Sequence, residues 1–310
     1  MKRLTLLALV GLLAGCASED PSPATNVPAE EIVANVAPEP ETEAPETYDV
    51  VKRTETFVDG SRPTTANGAE IAPDRTLVTD IYVPEGEGPF PLVVIAHGYV
   101  GHARKFTELA ESWAQDGYVV AVPTFPVTND EYEAPDILGY VDQPADVSFV
   151  MDEVLASESK ADGDRIGLAG LSLGGATTYG VMFNPCCVDE RIDAAIVMSG
   201  FRMPFDGDAD RFDPARPLMV VHGTTDEAIP YEGSDAVYRD APTPKYYVTF
   251  ENGSHASPFE NSESPHDEVA TAITRDFWKA YLLDDADAAD ALIEDATADG
   301  LSHLEYELDT

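Results

Sequence analysis

Short apolar runs and longer stretches of helical spacing take turns along most of this chain. Residues 91–96 (Pro-Leu-Val-Val-Ile-Ala), 118–123, 166–169, 194–198, 218–221 and 245–250 are mostly apolar and are bounded by polar or turn-forming residues. Strands buried on both faces read this way. Residues 75–83 (Arg-Thr-Leu-Val-Thr-Asp-Ile-Tyr-Val) alternate instead, and 50–58 predicts an edge strand. Residues 106–116 place Phe106, Leu109, Ala110 and Trp113 at helical spacing, with Gly117 as the stop. Residues 144–155 gather Val147, Val150, Met151, Val154 and Leu155 on one face. A short helix starts at 234–238, and 267–283 is a closing amphipathic helix through Val269, Ile273, Phe277, Trp278 and Tyr281. Residues 124–142 read as a polar, aromatic, Pro-containing loop. Strands alternating with helices predict an α/β fold: a mainly parallel, doubly wound sheet with helices on both faces.

The two ends break this pattern. Met1-Lys2-Arg3 is a positive start, residues 4–13 are apolar but too short to span a bilayer, and small residues precede Cys16. Leu13-Ala14-Gly15-Cys16 resembles the lipobox of bacterial lipoproteins. The resemblance implies a signal peptide over 1–15, an acylated Cys16, export, and attachment to the cell envelope through the lipid; the alternative is an ordinary secretory signal cleaved nearby, with export in either case. Residues 16–47 are rich in Pro, Glu, Ala, Thr and Ser and predict a disordered acidic tether. The folded domain is expected over 48–283. Residues 284–310 hold ten Asp or Glu and no Lys or Arg, and are expected to be a solvated acidic tail. Asp284, Asp285, Asp287 and Asp290 lack the loop Gly and terminal Glu of an EF-hand, so they do not predict a Ca²⁺ site.

Charge narrows the partners. The formal net charge is −40. Such a surface argues against nucleic acid, against electrostatic attraction to anionic lipid and against anionic substrates. It suits either plain resistance to aggregation or work at high salt.

The chemistry centres on Gly170-Leu171-Ser172-Leu173-Gly174, a G-x-S-x-G match between the strand at 166–169 and the small, apolar helix expected over 176–183. A strand that turns sharply into a helix holds its central residue under strain and presents the Ser172 hydroxyl at the top of the sheet. Serine needs a base, an orienter for that base, and donors for the oxyanion. The acid is expected at Asp226, in His222-Gly-Thr-Thr-Asp226 after the strand at 218–221, ahead of its neighbour Glu227. The base is expected at His255, just beyond Phe250, ahead of His266, for which a surface or capping role is expected, and of His303 in the tail. His97 and His222 each end a strand and read as loop-orienting residues. The oxyanion donors are expected to be the backbone amides of Tyr99 and Leu173.

These segments, with Asp80-Ile-Tyr-Val-Pro84, Pro89-Phe-Pro-Leu-Val-Val-Ile-Ala-His-Gly98, Ala114-Gln-Asp-Gly-Tyr-Val-Val-Ala121 and Gly253-Ser-His255, resemble the α/β-hydrolase superfamily over about residues 75–283. They look most like its minimal esterases: the dienelactone-hydrolase-like, platelet-activating-factor-acetylhydrolase-like, chlorophyllase-like and polyester-hydrolase or cutinase-like group. Dienelactone hydrolase uses a Cys nucleophile where this chain has Ser172, so its substrate does not carry over. Leu171 stands where relatives often have His. The resemblance implies a serine ester hydrolase that needs no cofactor or metal and acts on a small or polymeric ester. Amide or peptide hydrolysis and a non-catalytic binding lipoprotein are the rival readings.

The segments after each strand leave no room for a helical cap domain, so an open cleft favouring short acyl groups is expected. Tyr99 and Phe125 are expected to form an aromatic wall for substrate. Cys186 and Cys187 are adjacent and, outside the cytosol, predict a disulfide, with two free buried thiols or a bridge to another chain as the alternatives; neither is expected to be catalytic.

Overall fold

The computed structural model describes residues 47–206 and 209–308, so the Cys16 lipobox and the tether lie outside the described residues. Strand β1 (Val50–Asp59) is followed by a small hairpin of β2 (Thr64–Ala66) and β3 (Ala69–Ala72), then β4 (Arg75–Pro84) and β5 (Phe90–Ala96). Next come α1 (Thr107–Gln115), β6 (Val119–Thr124), α2 (Gln143–Ser157), β7 (Ala161–Leu171), α3 (Leu173–Phe183), β8 (Ile192–Met198) and β9 (Leu218–Gly223). The chain closes with α4 (Tyr231–Asp240), β10 (Lys245–Phe250), α5 (Asp267–Leu282), α6 (Ala286–Asp295) and β11 (Ser302–Glu307).

Nine strands form one sheet in the order β1-β4-β6-β5-β7-β8-β9-β10-β11. The six from β6 to β10 run parallel. β1 and β4 on one side, and β11 on the other, are antiparallel. Successive residues of a strand point to opposite faces. Leu92, Val94, Leu168 and Val220 accordingly enter the core beneath α2, α3 and α4. Val93, Ile95, Ala169 and Val221 enter the core beneath α1, α5 and α6. Two covered faces explain why the central runs are apolar without alternation.

A buried ion pair ties the antiparallel side to the helical layer. The Arg75 guanidinium meets Asp146 of α2 through two bonds of 2.5 and 2.7 Å, and both side chains are fully buried.

Two elements depart from the sequence expectation. The β2–β3 hairpin turns through Asn67 and Gly68, both at positive φ (50° and 76°), the geometry favoured for Asn-Gly in a tight hairpin. The C-terminal stretch is no solvated tail. Leu292 of α6 is fully buried, and β11 pairs with β10 from Lys245↔Glu307 to Phe250↔Ser302. Its acidic residues, Glu305 and Glu307, are exposed, and Glu307 lies 3.4 Å from Lys245 Nζ.

Candidate active site

Strand β7 ends at Leu171 and α3 begins at Leu173, so a single residue makes the corner. That residue, Ser172, adopts φ 58° and ψ −117°, a strained conformation for a non-glycine. The corner survives because Gly170 and Gly174, two residues to either side, carry no side chain. A Cβ on Gly170 would lie 2.1 Å from the Gly174 carbonyl oxygen, and one on Gly174 would lie 2.0 Å from that of Ala96. The Ser172 amide donates to the Met198 carbonyl at 2.9 Å, which fastens the corner to the end of β8.

Across from it runs the loop after β5. A Cβ on Gly98 would sit 3.0 Å from Ser172 Cβ, so the loop passes directly over the nucleophile candidate. Neither the Tyr99 nor the Leu173 amide donates to another protein group among the described residues. Leu173 opens a helix, whose first amides have no intrahelical acceptor. His97, fully buried, sets the loop's course: Nδ1 donates to Gly98 O at 2.7 Å and Nε2 accepts from the Phe125 amide at 2.9 Å. Burial holds its imidazole down at about 4, so it is neutral near pH 7. Phe125 is a correction. It has no exposed surface and packs against the His97 ring at 4.8 Å, so it backs the loop and lines no cleft. Tyr99 is 41% exposed, and its hydroxyl donates to Pro135 O.

Asp226 lies three residues beyond β9, and its side chain is 1% exposed. Oδ1 accepts from the Ala228 and Ile229 amides, each at 2.8 Å. Oδ2 accepts from His255 Nδ1 at 2.6 Å. Burial pushes the carboxyl up, but the amide donors and the adjacent His255 outweigh it and hold the group below the usual carboxylate range. Glu227 is exposed. The strand ends bring the groups to one edge through backbone bonds: Ser199 N to Val221 O, Thr224 N to Phe250 O, and Thr225 N to Gly253 O. Asp226 and His255 are thus hydrogen-bonded, while Ser172 Oγ and His255 are not, among the described residues.

The loop that carries His255 is docked onto the Tyr99 side. Asn261 N donates to Lys105 O, and Asn261 Nδ2 donates to Arg104 O. Lys105 Nζ lies 3.7 Å from Glu260 and donates to Val100 O at 3.3 Å. These anchors were not read from the sequence, because they join segments about 155 residues apart with no pattern between them. His266 is no surface residue. It is 2% exposed, lies against Phe250 and hydrogen-bonds Glu251 O at 2.9 Å, behind β10.

A family model described as Chlorophyllase matches residues 49–200. With the sheet order and the helices on both faces, this decides the fold. The chain has the α/β-hydrolase fold. No curated protein matches it. The match points to an ester hydrolase in general. It spans the β5 loop and the Ser172 elbow but ends before Asp226 and His255, so in this α/β-hydrolase fold those two positions rest on geometry alone.

Beside His255 lies a depression of about 440 Å³ bordered by Thr225, Glu227, Ala228, Ser254 and Ala256. A larger cavity of about 620 Å³ runs along α2 between Tyr140, Phe149 and Phe205 and holds none of the groups above. Cys186 and Cys187, bonded to each other, line that cavity. His102, Asp130 and Glu131 bring ligand atoms within 4.8 Å of one another. Arg104 pairs with both carboxylates, at 2.7 and 3.1 Å.

Proposed function

We propose that this α/β-hydrolase is an exported, lipid-anchored serine ester hydrolase. The observation that carries the reading is the Asp226–His255 contact of 2.6 Å, on the same sheet edge as the strained Ser172 corner. In this reading Ser172 Oγ attacks the ester carbonyl and His255 Nε2 takes its proton. The Asp226 carboxylate, held ionised by the donors around it, orients the ring and stabilises the imidazolium. The Tyr99 and Leu173 amides receive the developing oxyanion, helped by the positive end of α3. His255 then returns the proton to the leaving alcohol, and water, activated by the same base, releases the acyl group. No cofactor enters the scheme, and the membrane is met through acylated Cys16.

The test is labelling with a fluorophosphonate, which reacts only with an activated serine. Labelling at Ser172 that disappears in His255→Ala is expected. A folded protein left unlabelled would favour the non-catalytic reading.

A specific observation also favours bulky or polymeric esters. Tyr99 and Val100 are about 40% exposed beside the elbow. Ile137, Leu138 and Val141 are exposed on the segment that Tyr99 Oη joins through Pro135. An apolar rim of this kind suits a substrate that remains outside the protein while one ester bond enters.

A further inference from the structure

We infer that His222 is a positioning residue for Asp226, sharing the carboxylate oxygen that orients His255 and moderating its charge. The inference rests on the hydrolase reading above.

Asp226 Oδ2 has two imidazole neighbours. His255 Nδ1 lies at 2.6 Å and His222 Nε2 at 3.1 Å. His222 is fully buried at the end of β9, and its Nε2 also lies 3.1 Å from Ile229 O. Both neighbours of Nε2 are acceptors, so that nitrogen must carry a proton to be satisfied. Its Nδ1 lies 2.6 Å from Ser234 Oγ on α4. Ser234 Oγ donates in turn to Gly200 O at 2.7 Å, since a carbonyl can only accept. Its one proton is thereby committed, so His222 Nδ1 donates to Ser234 Oγ while Nε2–H faces Ile229 O and Asp226 Oδ2. Burial pulls the His222 imidazole below its ordinary range, against the pull of Asp226.

The consequence falls on His255. A donor on Oδ2 withdraws negative charge from the atom that stabilises the His255 imidazolium. His255 therefore sheds its proton at lower pH than it would beside an undivided carboxylate. Oδ1 is held by two backbone amides, so removing His222 frees the charge on Oδ2 without releasing Asp226. The groups facing this cluster are few. Tyr231 of α4 packs edge-on to His222 at 5.6 Å, and its hydroxyl is bonded to Thr249. Glu260, paired with Lys105, faces His255 from the far loop.

The experiment is the pH profile of kcat/KM on a short-chain nitrophenyl ester. His222→Leu is expected to move the acid limb up by about half a pH unit and to lower the plateau about threefold with KM unchanged. His222→Gln, which keeps an N–H near the Nε2 position, is expected to restore the limb and most of the rate. A limb that stays in place or moves down in His222→Leu overturns the inference, because a merely structural histidine would cost stability and leave the limb alone. Should that variant fail to fold, imidazole ¹⁵N spectra of the wild-type chain decide. A proton on His222 Nε2 is expected; protonation at Nδ1 alone overturns it. Persistent turnover in Ser172→Ala would sink the hydrolase reading instead, and the ¹⁵N result would still judge the contact.

Discussion

At the scale of single residues, the proposed reaction separates groups that would meet substrate from groups that hold them. Ser172→Ala is expected to lose at least about 10⁴-fold in kcat with the fold intact, as is His255→Ala, and the double variant should be no worse than either. Esterase assays with thermal unfolding as the folding control check this. His266→Ala should show the opposite profile: kcat near wild type in what still folds, and a lower melting temperature, because the ring is buried against Phe250. A collapse of kcat in His266→Ala would reassign the base. His97 belongs to the holding groups and gives stability a pH dependence. In the unfolded chain it titrates near 6.5, and in the folded protein burial holds it at about 4. As pH falls between these values the unfolded state takes up the proton first. Stability is therefore present above about 6.5 and is lost progressively down to about 4, by roughly 3 kcal/mol from this group. Urea unfolding of wild type and His97→Gln from pH 7 to 4 should show the variant with the flatter profile.

Among the elements, close approach and pairing decide more than propensity does. Gly174→Ala should fail to give folded protein, because the new methyl would lie 2.0 Å from the Ala96 carbonyl oxygen and neither backbone can retreat. Asp146→Ala removes one partner of a fully buried guanidinium and should cost about 3–5 kcal/mol in chemical denaturation, far more than any exposed pair. Deleting residues from 286 onward would strip β11 from β10 and uncover the α5 face that Leu292 covers. The truncated chain should aggregate or melt well below wild type. A truncation that folds and melts like the full chain would return this stretch to the status of a tail. The β2–β3 hairpin, with its Asn67-Gly68 turn, was open to reading from two residues alone. The β11 strand was not, because six residues with only Leu304 and Tyr306 apolar carry a weak signal, and its partner β10 supplies its reason to be extended.

For the whole molecule the dominant number is the net charge of −40. Exposed carboxylates at this density repel one another over distances that salt screens, about 10 Å at 0.1 M. The melting temperature should therefore climb as NaCl is raised toward about 1 M and then level off. A midpoint indifferent to salt would show that the charges are already compensated locally. In the proposed reaction, kcat/KM should peak at short acyl chains. Each buried methylene is worth about 0.8 kcal/mol only where a closed channel can bury it. Rates that keep rising to sixteen carbons, or that appear only above the micelle threshold, would reveal a lipid-binding tunnel.

The amino-acid sequence by itself determined the α/β class, nearly every central strand, and the Ser172 corner, because periodicity and Gly spacing are local properties of a chain. It also singled out Asp226 and His255 as the groups following β9 and β10. Tertiary structure alone decided what depends on approach between distant segments. Phe125 went behind His97 and not into a cleft, His266 went into the core, and the acidic C-terminus became a strand. His222 came to share the carboxylate of Asp226 while Ser234 took its other nitrogen. The physical reason is common to all four: burial and hydrogen-bond partnership belong to pairs of surfaces, and one strand of sequence shows only its own side.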